Sequence, residues 1–164
     1  MTTGPPRRRP PARLHVDIVA SQAALNQLLD QFDRFCRSQR MPVGLCREVH
    51  LALDEIVSNV ITHGARGPRR PRIEVTLALD ARALTITMAD DGLPFNPMTV
   101  AAPNLLAPIT ERPIGGLGVH LIRNMMSRVE YRRRHDRNEL RLTRLVTSGD
   151  PKRPKKPRRA TPSR

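Results

Sequence analysis

The strand-like segments of this sequence come in closely spaced pairs, and this pairing constrains the fold more than any other feature. Residues 73–79 (IEVTLAL) and 84–90 (LTITMAD) alternate apolar and polar side chains, and the short segment DAR links them. Because so short a link joins antiparallel neighbours, the spacing predicts a β-hairpin. Residues 129–134 and 139–146 predict a second pair of strands near the end of the chain.

Two helices are predicted ahead of the first hairpin. A strand over residues 14–19 is followed by a helix over residues 21–39, in which apolar side chains recur at i, i+3, i+4 and i+7. Ser21 is the predicted N-cap of this helix, since its hydroxyl can accept from a free backbone N–H.

The second helix is bounded by residues that favour helix ends. It begins at Met41-Pro42, where Pro42 suits the first helical position. It ends at His63-Gly64, and Gly64 is predicted to close the helix in the left-handed conformation. A third, short helix is predicted over residues 117–127.

The predicted order of elements is therefore β, α, α, β, β, a long loop, α, β, β. The strands form hairpins without regular βαβ alternation, which predicts the α+β class. We expect a two-layer α/β sandwich, with a mostly antiparallel sheet covered by helices on one face. The long loop, residues 91–116, is dense in Gly and Pro, and a loop of this length in a compact domain typically is mobile or has a function.

Positive charge is concentrated at the two ends of the chain. Of the formal net charge of +14, residues 1–13 carry +4 and residues 148–164 carry +6. Both segments are rich in Pro and poor in apolar residues, which predicts disordered basic tails around one folded domain, residues 14–147. Solvated ends are the simpler interpretation, and a salt-sensitive attraction to RNA, DNA or an acidic partner is the alternative. With no Trp, one Tyr and three Phe, base-stacking recognition of nucleic acid is not expected.

The cysteine count and the lack of long apolar runs indicate the compartment. Two cysteines, Cys36 and Cys46, exclude a disulfide-built scaffold and a Cys-rich zinc site. No segment is apolar enough for a signal peptide or a membrane span. We expect a cytoplasmic protein with no membrane association.

The first chemical motif lies on the second helix, in LALDEIVSNVITHG. Glu55 and Asn59 are four residues apart, so their side chains project from one side of the helix. A carboxylate at such a position can take a proton from a hydroxyl or a water, and an Asn oxygen suits Mg²⁺. By itself the motif is more typical of an ordinary solvent-facing Glu/Asn pair.

Two further motifs lie at the ends of the long loop. Asp90 and Gly92 follow the second hairpin strand, where a rigid carboxylate can accept from an amino group and a glycine lets a flat ligand approach; a simple turn is the alternative. Gly115, Gly116 and Gly118 open the third helix, where free N–H groups can bind phosphate. Their spacing matches neither the Rossmann nor the Walker pattern.

Taken together, the three motifs give a specific order: Glu-x₃-Asn on a helix, Asp-x-Gly after a strand, a long loop, then Gly-Gly-Leu-Gly at a helix start. Over residues 14–146 this order resembles the GHKL (Bergerat-fold) ATPases. The segments DGLPFNP and GGLGVHLIRNMMSRVEYRR are similar to those of the small, free-standing anti-sigma-factor serine/threonine kinases within that superfamily.

The resemblance implies a role for each motif residue. Glu55 would be the general base, Asn59 the Mg²⁺ ligand, and Asp90 the carboxylate that binds the adenine amino group. Gly92 would lie beside the base, and residues 97–114 would form the ATP lid. The resemblance also places the second ATP box, near the phosphates, at Gly115, Gly116 and Gly118. Thr143, on the last strand, is predicted to approach the adenine pocket.

The resemblance implies an ATP- and Mg²⁺-dependent anti-sigma factor that phosphorylates a serine or threonine of an anti-sigma-factor antagonist. Its expected partners are a sigma factor, that antagonist and a second copy of the chain. The alternative is a non-catalytic, ATP-sensing interaction module of the same fold. Direct nucleic-acid binding through the basic tails is the third, less favoured hypothesis.

Overall fold

The computed structural model describes residues 10–65, 67–97, 99 and 117–146. Within these ranges the chain forms eight elements. They are β1 (Ala12–Val19), α1 (Gln22–Ser38), α2 (Val43–His63), β2 (Arg72–Leu79), β3 (Ala83–Asp90), α3 (Leu117–Met125), β4 (Arg128–Arg134) and β5 (Arg137–Leu145). Each one was predicted in type and order. β1 begins two residues before the predicted domain boundary, and both basic tails lie outside the described residues apart from residues 10–13.

The five strands form one sheet in the order β1-β2-β3-β5-β4, and every pair of neighbours is antiparallel. The two predicted hairpins, β2/β3 and β4/β5, are confirmed. They meet in the middle of the sheet, where β3 pairs with β5 and Asp90 lies opposite Asn138. The α+β class with an antiparallel sheet is therefore confirmed.

The core lies between one face of this sheet and the helices. Inward-facing strand residues such as Leu77 and Ile86 are buried, as are Phe32 of α1 and Leu53 of α2. The outward-facing residues that alternate with them are half-buried or, like Thr87, exposed. The helices therefore cover one face of the sheet, which is the predicted two-layer arrangement.

Local chemistry accounts for most of the ends of the elements. Ser21 is in the extended conformation and its Oγ accepts from the N–H of Ala24 at 3.2 Å, which confirms the predicted N-cap. The two residues between β4 and β5, His135 and Asp136, both have positive φ, as a type I′ hairpin turn requires. Pro42 is the N-cap of α2, one position before the first helical residue where it was predicted.

The prediction for Gly64 is wrong in its conformation. Gly64 has φ −83° and ψ −12°, which is right-handed, because its N–H still donates to the carbonyl of Val60 at 2.9 Å and the helical path continues through it. A side chain here would meet the backbone, since a Cβ would lie 2.5 Å from the Val60 oxygen. Glycine is needed at this position for space and not for a positive φ.

A search of the described helices finds none with the length and apolarity needed to cross a membrane.

Candidate functional site

A buried carboxylate lies at the end of the central strand. Asp90 is only 3% exposed, and its Oδ1 accepts from Asn138 Nδ2 at 2.8 Å and from the N–H of Gly92 at 2.9 Å. Its Oδ2 receives no hydrogen bond from the described residues. This oxygen is not one of the fully buried, unpartnered atoms of the described residues, so it is accessible and leaves one strong acceptor for a ligand.

The protonation of Asp90 reflects a balance of opposing effects. Burial raises the pKa of its carboxyl above the ordinary value, and the nearby charge of Asp91 acts in the same direction. The hydrogen bonds from Asn138 and Gly92 and the positive charge of Arg133 lower that pKa. Burial is the largest of these effects, so the net shift is upward.

Asn138 is a site residue that was missed in the sequence. Its Nδ2 donates to Asp90 and also to the carbonyl of Leu93 at 2.8 Å. Its Oδ1 accepts from the Tyr131 hydroxyl at 2.8 Å and from Arg133 Nη1 at 2.8 Å. The available signal was its place in the inward row of β5, where a polar residue precedes two leucines at alternate positions.

Gly92 lies where the chain leaving β3 passes the end of α2. A Cβ at this position would lie 2.8 Å from both Asp90 Oδ1 and the carbonyl oxygen of Gly64. The next residue, Leu93, donates its N–H to that same carbonyl at 2.9 Å. The two glycines thus let the turn after Asp90 contact the end of α2, which brings the carboxylate and the helix to one cleft.

The predicted pair on α2 is confirmed as a pair. Asn59 Nδ2 donates to Glu55 Oε1 at 3.1 Å, and both side chains are half-buried. The amide oxygen of Asn59 accepts no hydrogen bond from the described residues, so it is available to a ligand. Asn59 lies on the same cleft as Asp90.

The cleft is narrow, with a free volume of about 30 Å³. Its walls are mostly apolar, with a few polar groups at one end and one side, as is typical of sites for flat ring ligands. Its lining residues are Ile56, Asn59, Val60, His63, Gly64, Met88, Asp90, Leu93, Phe95, Pro97, Val119, Tyr131, Asn138 and Leu140.

The start of α3 lies directly against Glu55. A Cβ added to Gly118 would overlap the side chain of Glu55, so only glycine lets this helix come so close. The other two glycines of the motif, Gly115 and Gly116, lie outside the described residues, as does most of the predicted lid over residues 97–114.

The structure does not bring Thr143 to the cleft, and this prediction is corrected. In the β3–β5 register Thr143 lies opposite Thr85, whereas the site residue Asn138 lies opposite Asp90. The two positions on β5 differ by an odd number, so their side chains point to opposite faces of the sheet. Asn138, and not Thr143, is the residue of the last strand that reaches the site.

A second groove runs between the end of α1 and the start of α2. Both cysteines line it, and burial raises the pKa of the Cys36 thiol, with Cys46 acting in the same direction. None of the predicted site residues lines this groove. It therefore lies apart from the polar groups that converge on the cleft.

Metal ligands are sparse in the described part of the chain. No group of three or more His, Cys, Asp or Glu side chains within it could hold a metal ion. The free oxygen of Asn59, close to the Glu55 carboxylate, still fits a Mg²⁺ ion, because this ion often binds one or two protein oxygens and completes its shell with phosphate and water.

Three comparisons with known proteins agree with this geometry. Residues 18–144 match the profile of a family described as the histidine kinase-like ATPase domain. Serine/threonine-protein kinase BtrW of Bordetella bronchiseptica is 29% identical over 111 residues, which cover 68% of this chain and 74% of the relative.

A solved structure is also similar, that of the RsbU and RsbW domains of Rv1364c from Mycobacterium tuberculosis. It matches with a TM-score of 0.56 and 16% identity over 82% of this chain. The match covers 32% of that longer chain, so this chain spans about a third of its length. The likeness shows a shared fold.

Proposed function

We propose that this chain, which belongs to the histidine kinase-like ATPase domain family, is an ATP-dependent protein serine/threonine kinase that acts as an anti-sigma factor. One observation carries the proposal. A buried carboxylate with a free oxygen, Asp90, shares a mostly apolar cleft with Asn59, which is hydrogen-bonded to Glu55. The group proposed to bind the base and the amide proposed to serve the phosphates therefore line one cleft.

We infer that adenine would bind on the Asp90 side of the cleft. Its exocyclic amino group is a donor, and the free Oδ2 of Asp90 is an acceptor without a partner among the described residues. Apolar side chains such as Ile56, Met88 and Val119 line the walls against which the ring would lie. Gly92 keeps the backbone beside the ring free of a side chain.

Asn59 and Gly118 would serve the triphosphate. The free amide oxygen of Asn59 is the group that would hold Mg²⁺, and a bound Mg²⁺ would neutralise charge on the phosphates. The start of α3, at Gly118, would add backbone N–H groups at the positive end of the helix. Both features are suited to orienting the terminal phosphate.

Glu55 would accept the proton of the attacking hydroxyl. In this step the hydroxyl oxygen forms a bond to the γ-phosphorus, and the bond from that phosphorus to the bridging oxygen breaks. ADP leaves with the bonding electrons, and the proton passes to the Glu55 carboxylate. The residue suits this role because it is half-buried beside Asn59 and against Gly118.

The acceptor and partners follow from the family resemblance and from the kinase named among the relatives. We infer that the acceptor is a serine or threonine of an anti-sigma-factor antagonist, and that the protein binds a sigma factor as a homodimer. Phosphorylation adds negative charge to the antagonist, which would weaken its binding and free the kinase for the sigma factor.

The first test measures nucleotide binding by titration calorimetry. The full-length protein should bind ATP with Mg²⁺ in the micromolar range, and Asn59→Ala should weaken binding mainly when Mg²⁺ is present. Asn26→Ala is the matched control, because Asn26 is exposed on α1 and bonds only Gln22 among the described residues. Wild-type protein that binds no ATP would overturn the proposal.

The second test separates a kinase from a nucleotide-sensing module. The protein is incubated with γ-labelled ATP and purified anti-sigma-factor antagonists of the source organism. Label on a serine or threonine of an antagonist is the expected product. Tight, nucleotide-dependent binding of an antagonist without label would instead establish the non-catalytic alternative.

A further inference from the structure

The buried end of the cleft has one more property, which concerns the choice of base. An ionised Asp90 can only accept hydrogen bonds, whereas a protonated one presents an O–H donor. Adenine offers an amino donor at its 6-position, and the 6-oxopurines hypoxanthine and guanine offer a carbonyl acceptor. The protonation state of Asp90 therefore decides which class of purine fits its free oxygen.

Burial alone would favour the protonated form of Asp90, which does not suit the amino group of adenine. Asp90 is 3% exposed, and removing a carboxylate from water favours its protonated form. Two donors, Asn138 Nδ2 and the N–H of Gly92, meet its Oδ1 and favour the ionised form. The Gly92 donor is part of the backbone, so Asn138 supplies the only side-chain donor to Asp90 among the described residues.

The amide of Asn138 is held in one orientation. Its Oδ1 accepts from the Tyr131 hydroxyl, from Arg133 Nη1 and, at 3.4 Å, from the N–H of Phe95. Turning the amide over would place its NH₂ group against these donors and its oxygen against the Asp90 oxygen. The three donors therefore force Nδ2 to face Asp90 and the carbonyl of Leu93.

The other charged and titratable groups around Asp90 do not replace this donor. The charge of Asp91 disfavours the ionised form of Asp90, and the charge of Arg133 favours it. Arg133 also donates a hydrogen bond to Asn138. His63 and Tyr131 line the same cleft, and Tyr131 donates to Asn138. The support for an ionised Asp90 thus passes largely through Asn138.

We propose that Asn138 is a positioning residue that holds Asp90 as a pure acceptor and thereby makes the cleft select adenine over 6-oxopurines. This inference rests on the proposed function, because it needs a nucleotide in the cleft. It adds a determinant of base selectivity on β5, with Tyr131 and Arg133 as its supports.

The test compares ATP and inosine triphosphate, which differ at the 6-position and at N1 but carry the same phosphates. Calorimetry gives the ratio of their dissociation constants from pH 5.5 to 7.5 for the wild type, Asn138→Ala, Tyr131→Phe and the control Asn26→Ala. Taking the ratio cancels the ionisation of the phosphates, because both nucleotides carry the same triphosphate.

Wild-type protein should prefer ATP, with the preference shrinking as the pH falls. Asn138→Ala should lower the preference by up to about tenfold, the value of one charge-assisted hydrogen bond, and should begin to lose it at a higher pH than the wild type does. Tyr131→Phe removes a single support from Asn138 and should have a smaller effect of the same sign. Asn26→Ala should match the wild type.

Other outcomes would count against the inference. If Asn138→Ala and Tyr131→Phe weaken ATP and inosine triphosphate by equal factors at every pH, Asn138 is only structural and the inference fails. If Asn138→Ala does not fold, the inference is tested on the wild type and Tyr131→Phe alone. The carboxyl ¹³C shift of Asp90 is then followed against pH in both proteins. If Tyr131→Phe changes neither this titration nor the ratio of the two dissociation constants, the inference fails. Absence of ATP binding by the wild type would instead overturn the proposed function.

Discussion

The two ends of the cleft are built in different ways. At the base end, Asp90 and Asn138 are both buried, and hydrogen bonds from three segments hold them. At the phosphate end, Glu55 and Asn59 are half-buried and share a single hydrogen bond among the described residues. One end is rigidly organised, and the other keeps free acceptors beside the start of α3.

Under the proposed function, this difference would separate recognition of the base from the transfer chemistry. A group that must discriminate between bases benefits from a fixed orientation and a fixed charge. A group that must gain and lose a proton needs partners that it can exchange during the reaction. Substitutions at the base end should therefore change binding, and those at Glu55 should change the rate. The predictions below test this separation, starting with the largest expected effect.

Glu55→Gln should lower phosphate transfer about 100-fold or more, because the amide cannot accept the hydroxyl proton. ATP affinity should change little, since the isosteric amide keeps the contact with Asn59. Transfer of γ-label to the antagonist and calorimetry measure the two effects. Glu130→Gln, on the exposed face of β4, is the control. Transfer at the normal rate by Glu55→Gln would remove Glu55 from the mechanism.

Asp90→Asn should weaken ATP binding about tenfold to a hundredfold. The amide can still accept from Asn138 and Gly92 through its oxygen, but its NH₂ group would then face the amino group of adenine. The same change should favour inosine triphosphate relative to ATP, and calorimetry measures both. Asp17→Asn, on the exposed outer side of β1, is the control. Equal ATP affinity in Asp90→Asn and wild type would show that Asp90 does not contact the base.

Gly118→Ala tests the contact between α3 and the catalytic end. The added methyl group overlaps the Glu55 side chain, so either α3 or Glu55 must move. We expect about a tenfold loss of transfer and about 1–3 kcal/mol of lost stability, as overpacking typically costs. Gly44→Ala in α2 is the matched control, since a Cβ there meets nothing within 4 Å. Full activity of Gly118→Ala would mean that the close approach is dispensable.

The smallest effect is a pH dependence of stability at the base end. The pKa of Asp90 is raised in the folded protein, so the ionised form is disfavoured there by burial. Its contribution to stability is therefore present at low pH and is lost as the pH rises through the folded pKa. Without nucleotide, the wild type should lose stability relative to Asp90→Asn as the pH increases above about 4, the ordinary pKa of an aspartate.

Urea unfolding at several pH values measures this difference. Asp30→Asn, at an exposed position on α1, serves as the control. A constant difference between wild type and Asp90→Asn would show that Asp90 keeps its ordinary pKa in the folded protein.

Most of the secondary structure was predictable because it depends on local patterns. Alternation identified the strands of both hairpins, and the 3.6-residue period identified α1 and α2. Ser21 was predictable as an N-cap because its hydrogen bond spans three residues. The pairing of Glu55 with Asn59 was predictable for the same reason, since helix geometry alone brings residues four apart together.

The errors concern properties that are not local. Thr143 was preferred as a site residue and Asn138 was missed, because one residue cannot be placed beside another without the register of β3 on β5. Two strands that are distant in the chain carry no local signal of how they align.

The sequence by itself determined which segments are strands and helices, that the sheet is built from hairpins, and which residue types could do chemistry. The tertiary structure alone decided that Asn138, 48 residues after Asp90, donates to its carboxylate, and that Gly118 lies against Glu55. The physical reason is the distance along the chain over which each interaction acts. Periodicity and capping act over a few residues, whereas strand register and helix docking are set by the burial of the whole core.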